Sequence, residues 1–332
     1  MNGTSKTLIW LTLATLCAAS VGTAALFPVA IGGRWGYTDE TGKLAVNPQF
    51  EHATDFSESL AAVRLAGRWG YVNASGNLVV NPQFDRAGAF REGLAAVEIG
   101  GRHGYVGLDG KYVINPQFDE AEAFSEGFAA IKLDHRWGFV DRTGKVVIAP
   151  QFEEAGQFQA GLTAIKLGGQ HGYADTNGRI VINPQFERAE GFSEGLAAVR
   201  LGGRWGFVDK TGKLVIEPQF DEAGAFVKGL APVKLGKFWG FIDPQGKFAI
   251  NPQFQEAGSF AEGLARVRAV GRWGFVDTQG KYAINPQFAD ALDFNHGLAR
   301  VSLGSHFTGA FTGGLKFGYV STEGRYIWNP NK

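Results

Sequence analysis

The chain has 332 residues, 32 Lys plus Arg against 32 Asp plus Glu, 13% aromatic residues, 48 glycines and a single cysteine. Nucleic-acid binding needs a basic footprint, and here the Arg and Lys that interleave with aromatics are matched by acids copy by copy, which excludes that class. Cys17 lies near the N-terminus, so the rest of the chain has no disulfide, thiolate nucleophile or thiolate metal site.

Residues 1–24 read as a signal peptide. Lys6 is their only charge, Leu8 to Ala19 is apolar, and Gly22-Thr23-Ala24 offers small residues for cleavage. The rival reading is a retained anchor, because the apolar stretch extended to Leu26 approaches the ~20 residues of a spanning helix. Leu16 stands where a lipoprotein signal wants a small residue, which disfavours lipidation. Cleavage removes Lys6, leaves a formal charge of −1 and no membrane span, and places the mature protein in the periplasm or outside the cell.

From residue 25 to residue 332 the chain is an array. Trp35, Trp69, His103, Trp137, His171, Trp205, Trp239, Trp273 and Phe317 hold one slot at a step of 34 residues, the last step being 44. In the unit around Trp205, Trp205 and Phe207 alternate with Gly206 and Val208, the period of a strand. Asp209-Lys210-Thr211-Gly212-Lys213 supplies a turn, and Leu214-Val215-Ile216 returns beside the first strand. The turn glycine recurs in all nine copies, which predicts a positive φ. A proline follows six residues later and is expected to end the return strand, since it cannot donate to a sheet ladder. Phe220 to Phe226 reads as a packed bridge, and Gly229 to Leu235 as a strand that pairs with the next tryptophan strand. Each unit is a three-stranded meander plus a bridge.

The Trp-Gly strands, the Asp-x-Thr-Gly-Lys turn and the Gln-Phe-Asp-x-Ala-x-x-Phe-x-x-Gly-Leu-Ala-x-Val segment resemble the WG-repeat, or KWG-repeat, family from about Phe27 to Pro330. The resemblance implies tandem β-rich units, common in bacterial and often exported proteins, without a general activity. His103, His171 and Phe317 depart from tryptophan, and Gly107 and Ser321 from the turn aspartate, so the slot wants a flat ring more than an indole. The expected fold is all-β: an open solenoid or superhelix of 34-residue meanders, with a closed propeller-like ring as the alternative. Nine units exceed the ~4–8 blades of common propellers, and no strand is held back to lock a ring; contact between the first and ninth units would decide for closure.

No metal spacing, Ser-His-Asp set or phosphate loop is present, so neither an enzyme nor a cofactor or metal site is expected. The acids after the bridge phenylalanine, Glu51, Asp85, Asp119, Glu153, Glu187 and Asp221, recur as an edge or turn device. The one break in the array is a ten-residue insertion near 305–314, where His306, Phe307 and Phe311 form a candidate partner-binding loop. The expected function is a non-catalytic exported scaffold that holds a protein partner at the envelope. The alternative is a glycan- or cell-wall-binding module, and it requires Trp35, Trp69, Trp137, Trp205, Trp239 and Trp273 to be exposed; buried, they are structural repeat positions.

Overall fold

The computed structural model describes residues 25–304 and 317–329, so both the leader and the insertion loop with His306, Phe307 and Phe311 lie outside the described residues. Nine antiparallel sheets follow one another along the chain. In the sixth, a bridge strand (Arg188–Ala189), an entry strand (Leu196–Leu201), a tryptophan strand (Arg204–Asp209) and a return strand (Leu214–Phe220) pair in that order. The bridge expected from the sequence therefore contributes a short fourth strand of its own. The first sheet has only three strands, Phe27–Ile31, Arg34–Thr38 and Leu44–Phe50.

The turns form as their residues dictate. All nine turn glycines have positive φ, from 76° to 87°. Asp209 Oδ1 accepts from the Thr211 backbone N–H at 2.9 Å, the Thr211 hydroxyl at 2.6 Å and the Lys213 N–H at 3.1 Å, so one carboxylate organises the turn. Where Asp is replaced by Gly107, Asp109 bonds the Lys111 N–H instead, at 3.0 Å.

The proline does not end its strand. Trp205 pairs with Phe220 and Phe207 with Ile216, so Glu217, Pro218 and Gln219 bulge out opposite Gly206, and the strand continues through Pro218. A bulge asks no ladder N–H of the proline, which is why it is tolerated there. The bulge also explains the glycine beside the tryptophan. A Cβ on Gly206 would lie 2.5 Å from the Ile216 carbonyl oxygen and 2.8 Å from the Pro218 nitrogen.

Adjacent sheets pack face to face. One cluster joins Phe207, Ile216 and Phe220 of the sixth sheet, Phe226 of the next bridge, and Val233 and Ile242 of the seventh. Each turn glycine presses on the preceding sheet; a Cβ on Gly212 would lie 3.0 Å from Ile182 Cγ2. The same contact recurs around the array and is completed by Gly42 of the first sheet against Ile327 of the ninth. The first and ninth units touch, and the array is a closed nine-bladed β-propeller. The open superhelix is thereby overturned in favour of the ring: a constant tilt at every interface, summed over nine units, brings the last sheet against the first.

Candidate functional site

The ring has nine interfaces, but among the described residues only eight bridges cross them. In each of those eight, the second bridge phenylalanine packs on the tryptophan-strand aromatic of the blade before it, as Phe90 does on Tyr71 and Phe226 on Phe207, with centroids 4.8 and 4.9 Å apart. Tyrosine hydroxyls then donate to bridge carbonyls, Tyr71 to Gly88 and Tyr105 to Glu122, at 2.9 and 2.7 Å. At the seam between the ninth and first blades, the entry strand of the first blade takes over both roles. Phe27 stands where seven blades have alanine and one has Thr163, and it lies 5.3 Å from Tyr319, whose hydroxyl donates to the Pro28 carbonyl at 2.9 Å. Trp35 stacks on Phe317 at 5.6 Å.

Arg300 ties the seam together. It is 7% exposed, its Nη2 lies 3.1 Å from Asp55 Oδ1, its Nε donates to the Tyr319 hydroxyl at 3.2 Å, and its guanidinium sits over the Phe317 ring. A buried guanidinium needs such partners, because an uncompensated charge there would cost several kcal/mol. Burial pulls the arginine pKa down, and the neighbouring Tyr319 and Asp55 outweigh it, so the charge is held. Burial likewise pushes the Tyr319 hydroxyl well above its ordinary range, which keeps it a donor. His52 stacks on Trp35 at 5.3 Å and meets Trp69 in a tilted contact at 5.4 Å; burial, then Arg64 and Arg300, lower its pKa and favour the neutral ring.

Beside this closure lies a cavity of about 660 Å³. Its walls are Ala25 to Phe27, the Thr54 to Ser59 segment, Ala74, Ala89, Arg91, and Asn295 with His296. It occupies the place a ninth bridge turn would take, between the His296-Gly297 turn and the Glu58-Ser59 turn. Departures from the repeat collect here. Ser59 holds φ 81° where seven other turns have glycine, His296 replaces the usual glutamate, and Asp55 stands where six of the eight bridges carry Ala, Gln, Gly or Ser. A non-glycine residue at positive φ is strained, and such strain gathers at functional sites.

The residues singled out in sequence fall elsewhere. Trp35, Trp137 and Trp273 are buried, and Trp69, Trp205 and Trp239 are half-buried and packed against the core clusters of their interfaces. His103 and His171 keep the ring slot and set Nε2 beside Glu98 at 3.7 Å and Glu154 at 3.5 Å. The recurring acids are turn devices: Asp85 Oδ2 accepts from the Gly100 N–H at 2.7 Å and Glu187 Oε1 from the Gly203 N–H at 2.9 Å, while Arg68 pairs with Asp85. The insertion joins the entry and tryptophan strands of the ninth blade, where Ser302 pairs with Phe317, at the strand end opposite the seam turns. Phe27, Asp55, Ser59, Arg300 and His296 were legible as departures in phase but carry no motif.

Among solved structures, the chain is similar to a eukaryotic initiation factor at a TM-score of 0.65, with 11% identity, covering 92% of this chain and 95% of that one. It is also similar to the dihydro-heme d1 dehydrogenase NirN (TM-score 0.49, 12% identity, 83% and 75% covered) and to Hsv2p of Kluyveromyces lactis (TM-score 0.42, 8% identity, 65% and 89% covered). The first of these likenesses speaks to the fold alone. No curated protein matches the sequence. The family described as WG containing repeat matches at residues 35–69, 69–102, 104–134, 137–170, 172–205, 205–237, 239–269 and 273–305, together most of the array, and the chain belongs to that WG-repeat family.

Proposed function

We propose that this propeller is a non-catalytic scaffold that holds a protein partner, and that it works in the cell envelope or outside the cell. The observation that carries the reading is how the repeated chemistry is spent. Recurrent acids cap turns, recurrent rings fill interfaces, and recurrent glycines clear bulges, so the functional groups an enzyme would draw on are engaged in holding the blades. What remains distinctive is what breaks the ninefold pattern: the seam and the 305–314 insertion. Export rests on the charge-poor apolar leader. The glycan alternative is the weaker, since it calls for open tryptophan faces and the six are packed at interfaces.

Two experiments test this. A photoreactive residue at Phe307 is expected to form a discrete cross-linked adduct, and replacing residues 305–314 with the Gly-Gly turn of other blades is expected to preserve thermal stability and abolish pull-down of the protein found in that adduct. Cross-linking unchanged by trimming, with the photoreactive residue moved to an exposed return-strand position such as Val113, moves the partner site onto the repeat surface. N-terminal sequencing of the protein from fractionated cells is expected to start near Ala25 in soluble exported material; an intact leader in membranes replaces export with anchoring.

A further inference from the structure

The turns next to the seam cavity form a ladder. Glu58 Oε2 accepts the Gly93 N–H at 2.8 Å, Glu92 the Gly127 N–H at 2.9 Å, and Glu262 the Gly297 N–H at 2.8 Å. Glu126 takes both the Ala160 and Gly161 N–H groups, at 2.7 and 2.8 Å, and Glu194 both the Lys228 and Gly229 N–H groups, at 2.7 and 2.8 Å. Each glutamate thus caps the turn of the next bridge, because two successive left-handed residues aim their N–H groups the same way and make an anion seat.

Ser59 is the first rung. Among the described residues no bridge turn stands at the seam to cap it, and its N–H has no acceptor. Two other rungs lack the cap because Ala160 and Lys228 replace glutamate; the Ser59 turn differs in lining the 660 Å³ seam cavity. Arg91 and His296 line the same cavity, are exposed, and pair with no acid among the described residues. The acids nearby are engaged: Glu58 on Gly93, and Asp55 on Arg300. Arg300 pairs Asp55 and Arg91 offsets Glu58, so the Ser59 N–H stands in that cavity as a donor in search of an acceptor, and the ring's own geometry says which kind.

We infer that the seam cavity binds the glutamate side chain of a partner protein's tight turn, its carboxylate seated on the Ser59 N–H and flanked by Arg91 and His296. The occupant would complete the ladder as a ninth rung supplied from outside. Phe27 already fills the aromatic half of the missing bridge, so only the turn portion is left to recognise, and the minimal ligand is short. This rests on the scaffold reading for the carboxylate's source and on removal of the leader, since Ala25 and Leu26 line the cavity.

The probe is the tripeptide Ac-Ser-Glu-Gly-NH2, the sequence at Ser125 to Gly127, titrated into the full chain labelled with 15N-serine. A saturable downfield shift of the Ser59 amide is expected, with apparent Kd at least about tenfold weaker for the Ser-Gln-Gly peptide, the worth of a charge-assisted hydrogen bond. Arg91→Gln should weaken binding several-fold without changing the melting temperature. A Ser59 amide that does not move overturns the assignment, as does inorganic phosphate moving it while the peptide does not. Should the tripeptide fail while loop-dependent cross-linking persists, the seam site falls and the scaffold reading stands.

Discussion

The glycine that follows each tryptophan offers a sharp test of why this sequence repeats as it does. In Gly206→Ala the new Cβ meets three backbone atoms of the facing bulge: Ile216 O at 2.5 Å, Pro218 N at 2.8 Å and Glu217 C at 2.9 Å. None is the tip of a flexible side chain, so no rotamer change relieves the clash. Relief requires the Glu217-Pro218-Gln219 bulge to lift off, which loosens the Trp205 to Phe220 pairing and the interface beneath it. Overpacking of a close-packed core costs about 1–3 kcal/mol, and a backbone-only clash belongs at or above the top of that range. We expect about 3 kcal/mol, read as a shift in the urea midpoint at constant m. Gly107→Ala is the matched control: its Cβ would meet Asp109 Oδ1 at 3.4 Å and Val113 Cγ2 at 3.6 Å, ordinary contacts, and Gly107 has no positive φ. It should lie within about 0.5 kcal/mol of the parent. Equal costs for the two would mean that the bulge is not what demands the glycine.

Trp273→Ala, from a buried slot, should destabilise by about 3–5 kcal/mol and Trp205→Ala, from a half-buried one, by less; the reverse order in chemical denaturation would show that depth of burial does not set the cost. Phe27→Ala removes the ring on Tyr319 and should raise amide hydrogen exchange in the first and ninth blades while the fourth to sixth stay protected; a uniform rise would show that the seam is no weaker than any other interface. The hydroxyls of Thr41, Thr143 and Thr211 are the main cause of the lowered pKa of the partly exposed Asp39, Asp141 and Asp209. Carboxyls depressed on folding give stability that is present above about pH 4 and is lost as pH falls through their folded values. The melting temperature should therefore drop on acidification below about pH 4, and less steeply in an Asp141→Asn, Asp209→Asn variant, where an unchanged slope would sink the assignment.

The repeat unit was legible because local chemistry dictates it. Gly212 requires φ above zero and Asp209 organises its own turn, so strand and turn follow from residues within a few positions of each other. Two features depend on contacts at longer range, and residues read in isolation do not show them. Pro218 reads as a stop in isolation and is accommodated only because Gly206, on the neighbouring strand, has no side chain to oppose the bulge. Ring against solenoid is subtler still, because no residue encodes it. It depends on the tilt at each interface, set by contacts such as Gly212 on Ile182, and nine tilts must sum to a full turn.

Closure also explains why the informative residues lie where they do. An open array would need caps at both ends and could place them anywhere in phase. Among the described residues the ring has eight bridges for nine interfaces, and a set of adjustments gathers at the interface without one. Phe27 replaces a small residue to fill the missing bridge ring, Pro28 supplies the missing carbonyl, and Arg300 with Asp55 spans the join. Each solves a packing problem and needs no ligand. Ser59 and His296 are different, because neither closes a gap: Ser59 adds strain at φ 81° where glycine would relax it, and His296 gives up the carboxylate that caps the next turn elsewhere. Closure demands neither substitution, and both face the same cavity, which separates the part of the seam that holds the ring shut from the part that is left to bind.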